Sequence, residues 1–62
     1  MLTFEDAERI RLERGLNPEQ FSVKLGFSAT AYHKAMSRKK ISRWMAKEIS
    51  KRFHVKLAGN GG

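Results

Sequence analysis

Gly26 separates two stretches of helical period, and this break limits what the middle of the chain can become. Ahead of it, Asn17-Pro18-Glu19-Gln20 is a strong helix start. Asn17 can cap, Pro18 suits the first helical position, and Gln20 can complete a capping box. The spacing predicts a helix over 18–25 with Phe21, Ser22 and Leu25 facing inward and Val23 outside the apolar face. A residue as small as Ser22 lets a neighbouring helix approach closely. Gly26 supplies the turn, because glycine enters the left-handed conformation cheaply after a helix end. Phe27 follows as an apolar turn residue. Ser28 can cap the next helix with its hydroxyl, and that helix is predicted over 29–36.

The second helix divides by period. Ala31, Tyr32, Ala35 and Met36 fall on one side, and Ala29, Thr30, His33, Lys34 and Ser37 on the other. One side can pack. The other is small at its start and cationic further on, which suits a helix entering the major groove of duplex DNA. Ala29 and Thr30 are candidates for thymine-methyl contact and a hydroxyl hydrogen bond, and His33 and Lys34 for donation to guanine O6 and N7.

Residues 17–37 resemble the helix-turn-helix of the Cro and lambda-repressor type. Ser22 matches that family's small residue in the first helix, Gly26 its glycine four residues on, and Tyr32 and Ala35 its later apolar positions; Phe21 and Leu25 match core positions. The likeness continues through IRLERGLNPEQ before the motif and ISRWMAKEISKRF after it, and so covers most of the chain. Ser22 and Tyr32 stand where the family usually has alanine and isoleucine or valine. Pro18 stands in place of a glutamine that often contacts a phosphate. The resemblance implies an all-α, compact four-helix domain, with room for a fifth element, over residues 1–57, and a flexible tail over 58–62. It implies a phage or bacterial transcriptional repressor that binds double-stranded DNA in the cytoplasm, with helix 3 in the major groove. A homodimer on DNA is the weakest part of that carry-over, because few residues remain for the family's C-terminal dimerisation element.

Thr3 and Asp6 form a capping pattern for a first helix over 4–14, whose apolar face holds Phe4, Ala7 and Ile10. Arg11 falls in the middle of that face. Its stem can bury while its head finds Glu19, Glu48 or water. In the resembling family an arginine here pairs with a glutamate whose matching position is Met36, so that pair is absent. Gly15 ends the helix and Leu16 closes into the core. After helix 3, Ser37-Arg38-Lys39-Lys40 reads as a short basic loop suited to phosphates, with Ser28 and Arg43 as further backbone candidates. Ile41 anchors and Ser42 caps a fourth helix over 43–53, with Met45, Ala46, Ile49 and Phe53 on its core face. Trp44 points away from that face. It is covered by Val55 or Leu57, anchors a dimer or partner, or stays exposed. His54 reads as an exposed helix-end residue.

Size and charge bound the rest. A chain of 62 residues is one small domain, with no cysteine for a disulfide or a thiolate metal site. His33 and His54 alone make no convincing metal site, and no cofactor or small-molecule ligand is indicated. No run is apolar enough for a membrane span. The formal charge is +7 and unevenly spread: residues 1–23 carry three basic and five acidic side chains, residues 24–62 ten basic and one acidic. That asymmetry points to a polyanion partner. Rival readings are an antitoxin-type regulator that binds a partner protein and its own promoter, an interaction domain that keeps the fold without binding DNA, and an RNA binder. The last lacks a stacking platform, since Tyr32 and Trp44 are single. An enzyme is not expected: there is no paired acid site, no nucleophile arrangement and no phosphate-cradling loop.

Overall fold

The structure, a computed structural model, describes residues 2–54. These form four helices and no strand: α1 Phe4–Glu13, α2 Pro18–Lys24, α3 Ala31–Arg38 and α4 Arg43–Phe53. None of the four is long and apolar enough to cross a membrane. The predicted extended segment and tail beyond His54, and any fifth element there, lie outside the described residues.

Local chemistry starts three of the helices as the sequence requires. Thr3 Oγ1 accepts the Asp6 N–H and the Asp6 carboxylate accepts the Thr3 N–H, closing a capping box. Asn17 and Gln20 do the same at α2, with Pro18 at the first helical position. Ser42 Oγ accepts the Met45 N–H at the start of α4. The helix ends follow one pattern. Gly15 (φ +67°) and Gly26 (φ +84°) take the left-handed conformation just past α1 and α2. The N–H groups of Leu16 and Phe27 then reach back to the carbonyls of Arg11 and Ser22, which satisfies carbonyls the helix leaves unpaired.

A chain of aromatic contacts joins all four helices. Phe4 of α1 stacks on Tyr32 of α3 with ring centroids 6.1 Å apart. Tyr32 meets the edge of Phe21 of α2 at 4.8 Å, and Phe21 stacks on Phe53 of α4 at 5.6 Å. Tyr32, Phe21, Leu25 and Ile49 are the largest apolar side chains fully removed from water. Each such burial contributes about 1.5–3 kcal/mol. Leu2, Ala7, Ile10, Ala35, Met45, Ala46 and Phe53 complete the buried core, and Phe4, Leu16, Phe27, Ala31, Met36 and Ile41 pack on it partly exposed.

Two expectations require correction. Arg11 reaches neither Glu19, Glu48 nor open water. Its side chain is 11% exposed and forks onto Glu8, one turn back on the same helix. Helix 3 begins at Ala31 and not at residue 29, and it ends at Arg38, so Ser37 and Arg38 are helical and do not belong to a loop. The reason lies at Ser28: its carbonyl, not its hydroxyl, engages the new helix by accepting the Ala31 N–H.

Candidate nucleic-acid interface

The position of α3 is set by two side chains that face away from its exposed surface. Tyr32 donates its backbone N–H to Ser22 Oγ at 2.8 Å, inside the core. The α3 N-cap, Thr30, makes no side-chain capping bond, so Ser22 of α2 satisfies an amide that α3 would otherwise leave unpaired. The Tyr32 hydroxyl donates to Glu8 Oε2 at 2.6 Å. Arg11 Nε and Nη2 donate to the same carboxylate at 3.0 and 2.8 Å, and its Nη1 donates to the Leu16 carbonyl at 2.9 Å. One network therefore ties α3 to α1 and to the α1–α2 connection.

The electrostatics of this network are one-sided. Hydrogen bonds from Arg11, joined by one from Tyr32, hold the Glu8 carboxyl below its ordinary range against the opposing effect of burial. Burial, reinforced by Glu8, pushes the Tyr32 phenol well above its ordinary range. The tyrosine thus stays a neutral donor and the glutamate an ionised acceptor at physiological pH. Among the described residues, no buried side-chain nitrogen or oxygen lacks a hydrogen-bond partner.

With Tyr32 and Ala35 buried and Ala31 and Met36 half-buried, the opposite side of α3 faces water. Thr30, His33, Lys34, Ser37 and Arg38 are all exposed there. The division anticipated from the period holds, except that Ala29 and Thr30 precede the helix and Ala29 is half-buried. Ser28 is exposed at the near end of this face, and Lys39, Lys40 and Arg43 at the far end. No Asp or Glu occurs between Glu19 and Glu48, so no carboxylate from this stretch neutralises the five cations between Lys34 and Arg43.

Lys39 was not foreseen as a special position. Its φ is +55°, in the left-handed region that Gly15 and Gly26 occupy after α1 and α2. The Lys40 N–H reaches back to the Ala35 carbonyl at 3.1 Å, as the corresponding amides do after those glycines. A side chain here costs stability, and such outliers are concentrated at functional sites. No glycine or asparagine marks the turn, so the sequence carried no signal for it. His54 also has φ +55° and is exposed at the end of α4, as its position suggested.

Trp44 is 70% exposed, and with Lys47 and Glu48 it borders a shallow depression of about 220 Å³. The proposed cover by Val55 or Leu57 lies outside the described residues. Among the described residues no group of His, Cys, Asp and Glu is arranged to hold a metal ion. Compared with protein-family models, with curated proteins and with solved structures, the chain has no match in any of the three.

Proposed function

We propose that this chain is a sequence-specific double-stranded DNA-binding domain of the helix-turn-helix, Cro and lambda-repressor-like type, acting as a small transcriptional repressor. The observation that carries the reading is the exposed face of α3. It is cationic and carboxylate-free on one side, and anchored through Tyr32 to both α1 and α2 on the other. An α-helix is about 10–12 Å across with its side chains, which suits the width of the major groove, and α3 presents a rigidly held face that carries no carboxylate. In this reading Thr30, His33 and Lys34 approach base edges, with Ala29 at the margin, while Ser28, Ser37, Arg38, Lys39, Lys40 and Arg43 lie along the phosphates. None of the base-facing positions is asparagine or glutamine, so bidentate reading of adenine is not available from them. Each half-site then discriminates modestly, and electrostatics carries a large share of the affinity.

The division of roles is tested by anisotropy titrations of fluorescent duplexes. Lys34→Ala is expected to lower affinity and relax preference at one base position. Arg38→Ala and Lys39→Ala are expected to weaken binding equally on all sequences. Unchanged affinity of both classes of variant on the preferred duplex refutes the assignment.

The exposed indole of Trp44 favours a second reading, an antitoxin-type regulator whose α4 holds a partner protein or a second copy, since aromatic anchors are enriched at interface centres. Trp44 is the chain's single tryptophan, so its emission reports on this directly. A blue shift as protein concentration rises identifies self-association.

A further inference from the structure

The ends of α1, α2 and α4 converge on one open concavity of about 560 Å³, lined by Arg14, Lys24, Lys51, Arg52, Phe53 and His54. It is not part of the α3 face. Lys51, Phe53 and His54 lie at the opposite end of α4 from Arg43, about 15 Å along the helix axis. The near end of the α3 face is closer, since Arg52 lies beside Gly26, two residues before Ser28, but no residue from Ser28 to Arg43 lines the concavity.

Cations at helix C-termini often only offset the negative end of the helix dipole, so the charges must be weighed. Each end carries roughly −0.5 charge, and three ends carry roughly −1.5. Four permanent cations line the hollow, and Glu48 neutralises one of them through its 3.0 Å ion pair with Arg52. A surplus of roughly +1.5 remains after the helix ends are offset. No carboxylate side chain lines the hollow, and residues 55–62 contain no Asp or Glu.

Two of the cations are held in place. The Arg14 guanidinium lies over the Phe53 ring at 5.0 Å, with Nη2 3.5 Å from the Phe53 carbonyl. Arg52 is held by Glu48, and its guanidinium lies close enough to Gly26 that a Cβ added there would come within 3.2 Å of Nη2. Lys24 and Lys51 flank them and make no ion pair among the described residues. Planar forks fixed in advance and backed by point charges match the oxygens of a phosphoryl group. The volume lies in the range of about 300–1,000 Å³ usual for small-ligand sites.

We propose that this concavity binds a compact phosphoryl anion, of the kind carried by a nucleotide or by free pyrophosphate, at a site separate from the DNA-facing surface. A compact anion is favoured over a duplex backbone because the two guanidinium groups are each tied to a neighbouring group and border the same open concavity. The site does not depend on the DNA-binding reading.

The test is ¹H–¹⁵N NMR of the full chain titrated with sodium pyrophosphate at constant ionic strength, in parallel with a short random-sequence duplex. Pyrophosphate is expected to shift the amides of Lys24, Lys51, Arg52 and His54 saturably and to leave those of Lys34 and Arg38 in place. The double variant Lys24→Ala, Lys51→Ala should raise the pyrophosphate Kd about tenfold or more. Its duplex affinity should stay within about twofold of the parent, as expected for distant sites, and its thermal midpoint should fall by no more than the few degrees that two helix-end cations contribute. Non-saturating shifts, or equal shifts at Lys34 and Arg38, reduce the site to general charge attraction and overturn the proposal. Duplex-induced shifts of the same amides overturn it by making the cluster part of the duplex contact. Absence of duplex binding alone contradicts the DNA reading and leaves the pyrophosphate result standing.

Discussion

Ser22 Oγ accepts the backbone N–H of Tyr32 at 2.8 Å, so α2 caps the first turn of α3 from across the core. Removing that hydroxyl strands a buried amide. Ser22→Ala should therefore lose about 1–2 kcal/mol, although it deletes only one atom. In a domain of this size that corresponds to a fall of roughly 5–10 °C in the thermal midpoint. Calorimetry checks this, and an unchanged midpoint would mean that the amide finds another partner.

Glu8 sits between Tyr32 and Arg11, and its titration should be visible in stability. Its folded-state carboxyl is held below the ordinary value near 4.5, first by Arg11 and then by Tyr32. A depressed pKa gives stability that is fully present above the ordinary value and is lost as pH falls through the folded one. Glu8→Gln should accordingly lower the thermal midpoint at neutral pH by an amount that shrinks as the pH drops below about 4.5. At the alkaline end the sign reverses. The Tyr32 phenol is raised above its ordinary 10.0, so its contribution is complete below pH 10 and declines as the pH rises through the folded pKa. Tyr32→Phe removes a donor to an ionised carboxylate and should cost about 1.5–3 kcal/mol at neutral pH. Midpoints for the parent and both variants across the pH range test all three statements.

Lys39 should separate stability from binding. Its backbone is left-handed, so Lys39→Gly relieves strain and should stabilise the fold by about 1 kcal/mol. The same change removes a cation from the proposed phosphate contacts and should flatten the salt dependence by about one unit of slope. Urea denaturation and salt-dependent anisotropy on one variant check both. A variant that is more stable and equally tight would remove Lys39 from the interface.

A side chain at Gly26 should be strained. Its φ is +84°, and an added Cβ would press on the Arg52 guanidinium. Gly26→Ala is expected to cost about 1–2 kcal/mol. Gly15 is also left-handed but has open space around it, so Gly15→Ala bears only the backbone penalty. Comparing the two midpoints isolates the Arg52 contact.

Much of this fold was legible because it is written locally. Thr3 with Asp6, Asn17 with Gln20, and Ser42 are capping signals a few residues long, and each caps the helix it announces. The inward set Phe21, Leu25, Tyr32, Ile49 and Phe53 followed from period alone. What escaped was contact between distant residues. The pairing of Glu8 with Arg11 was available from their spacing of three on one helix, whereas the reach of Tyr32 across to Glu8 was not. Period and size mark Ser22 only as a small inward residue, although its hydroxyl is the part that α3 uses. The exposed residues proposed to face DNA followed from the same period as the core. The cationic hollow at the helix ends gathers residues 14 to 54, which no local pattern brings together.

The most direct measurement is selection from a random duplex pool, followed by anisotropy titration of the enriched sequences over a range of salt. Major-groove reading by α3 predicts an enriched motif that Lys34→Ala relaxes at one position. An inverted repeat with half-sites about one helical turn apart would indicate a dimer on DNA. Four to six phosphate contacts predict a slope of roughly −4 to −5 in log K against log salt. Salt-sensitive binding with no enriched motif would contradict sequence-specific recognition, and no binding at low salt would contradict DNA binding altogether.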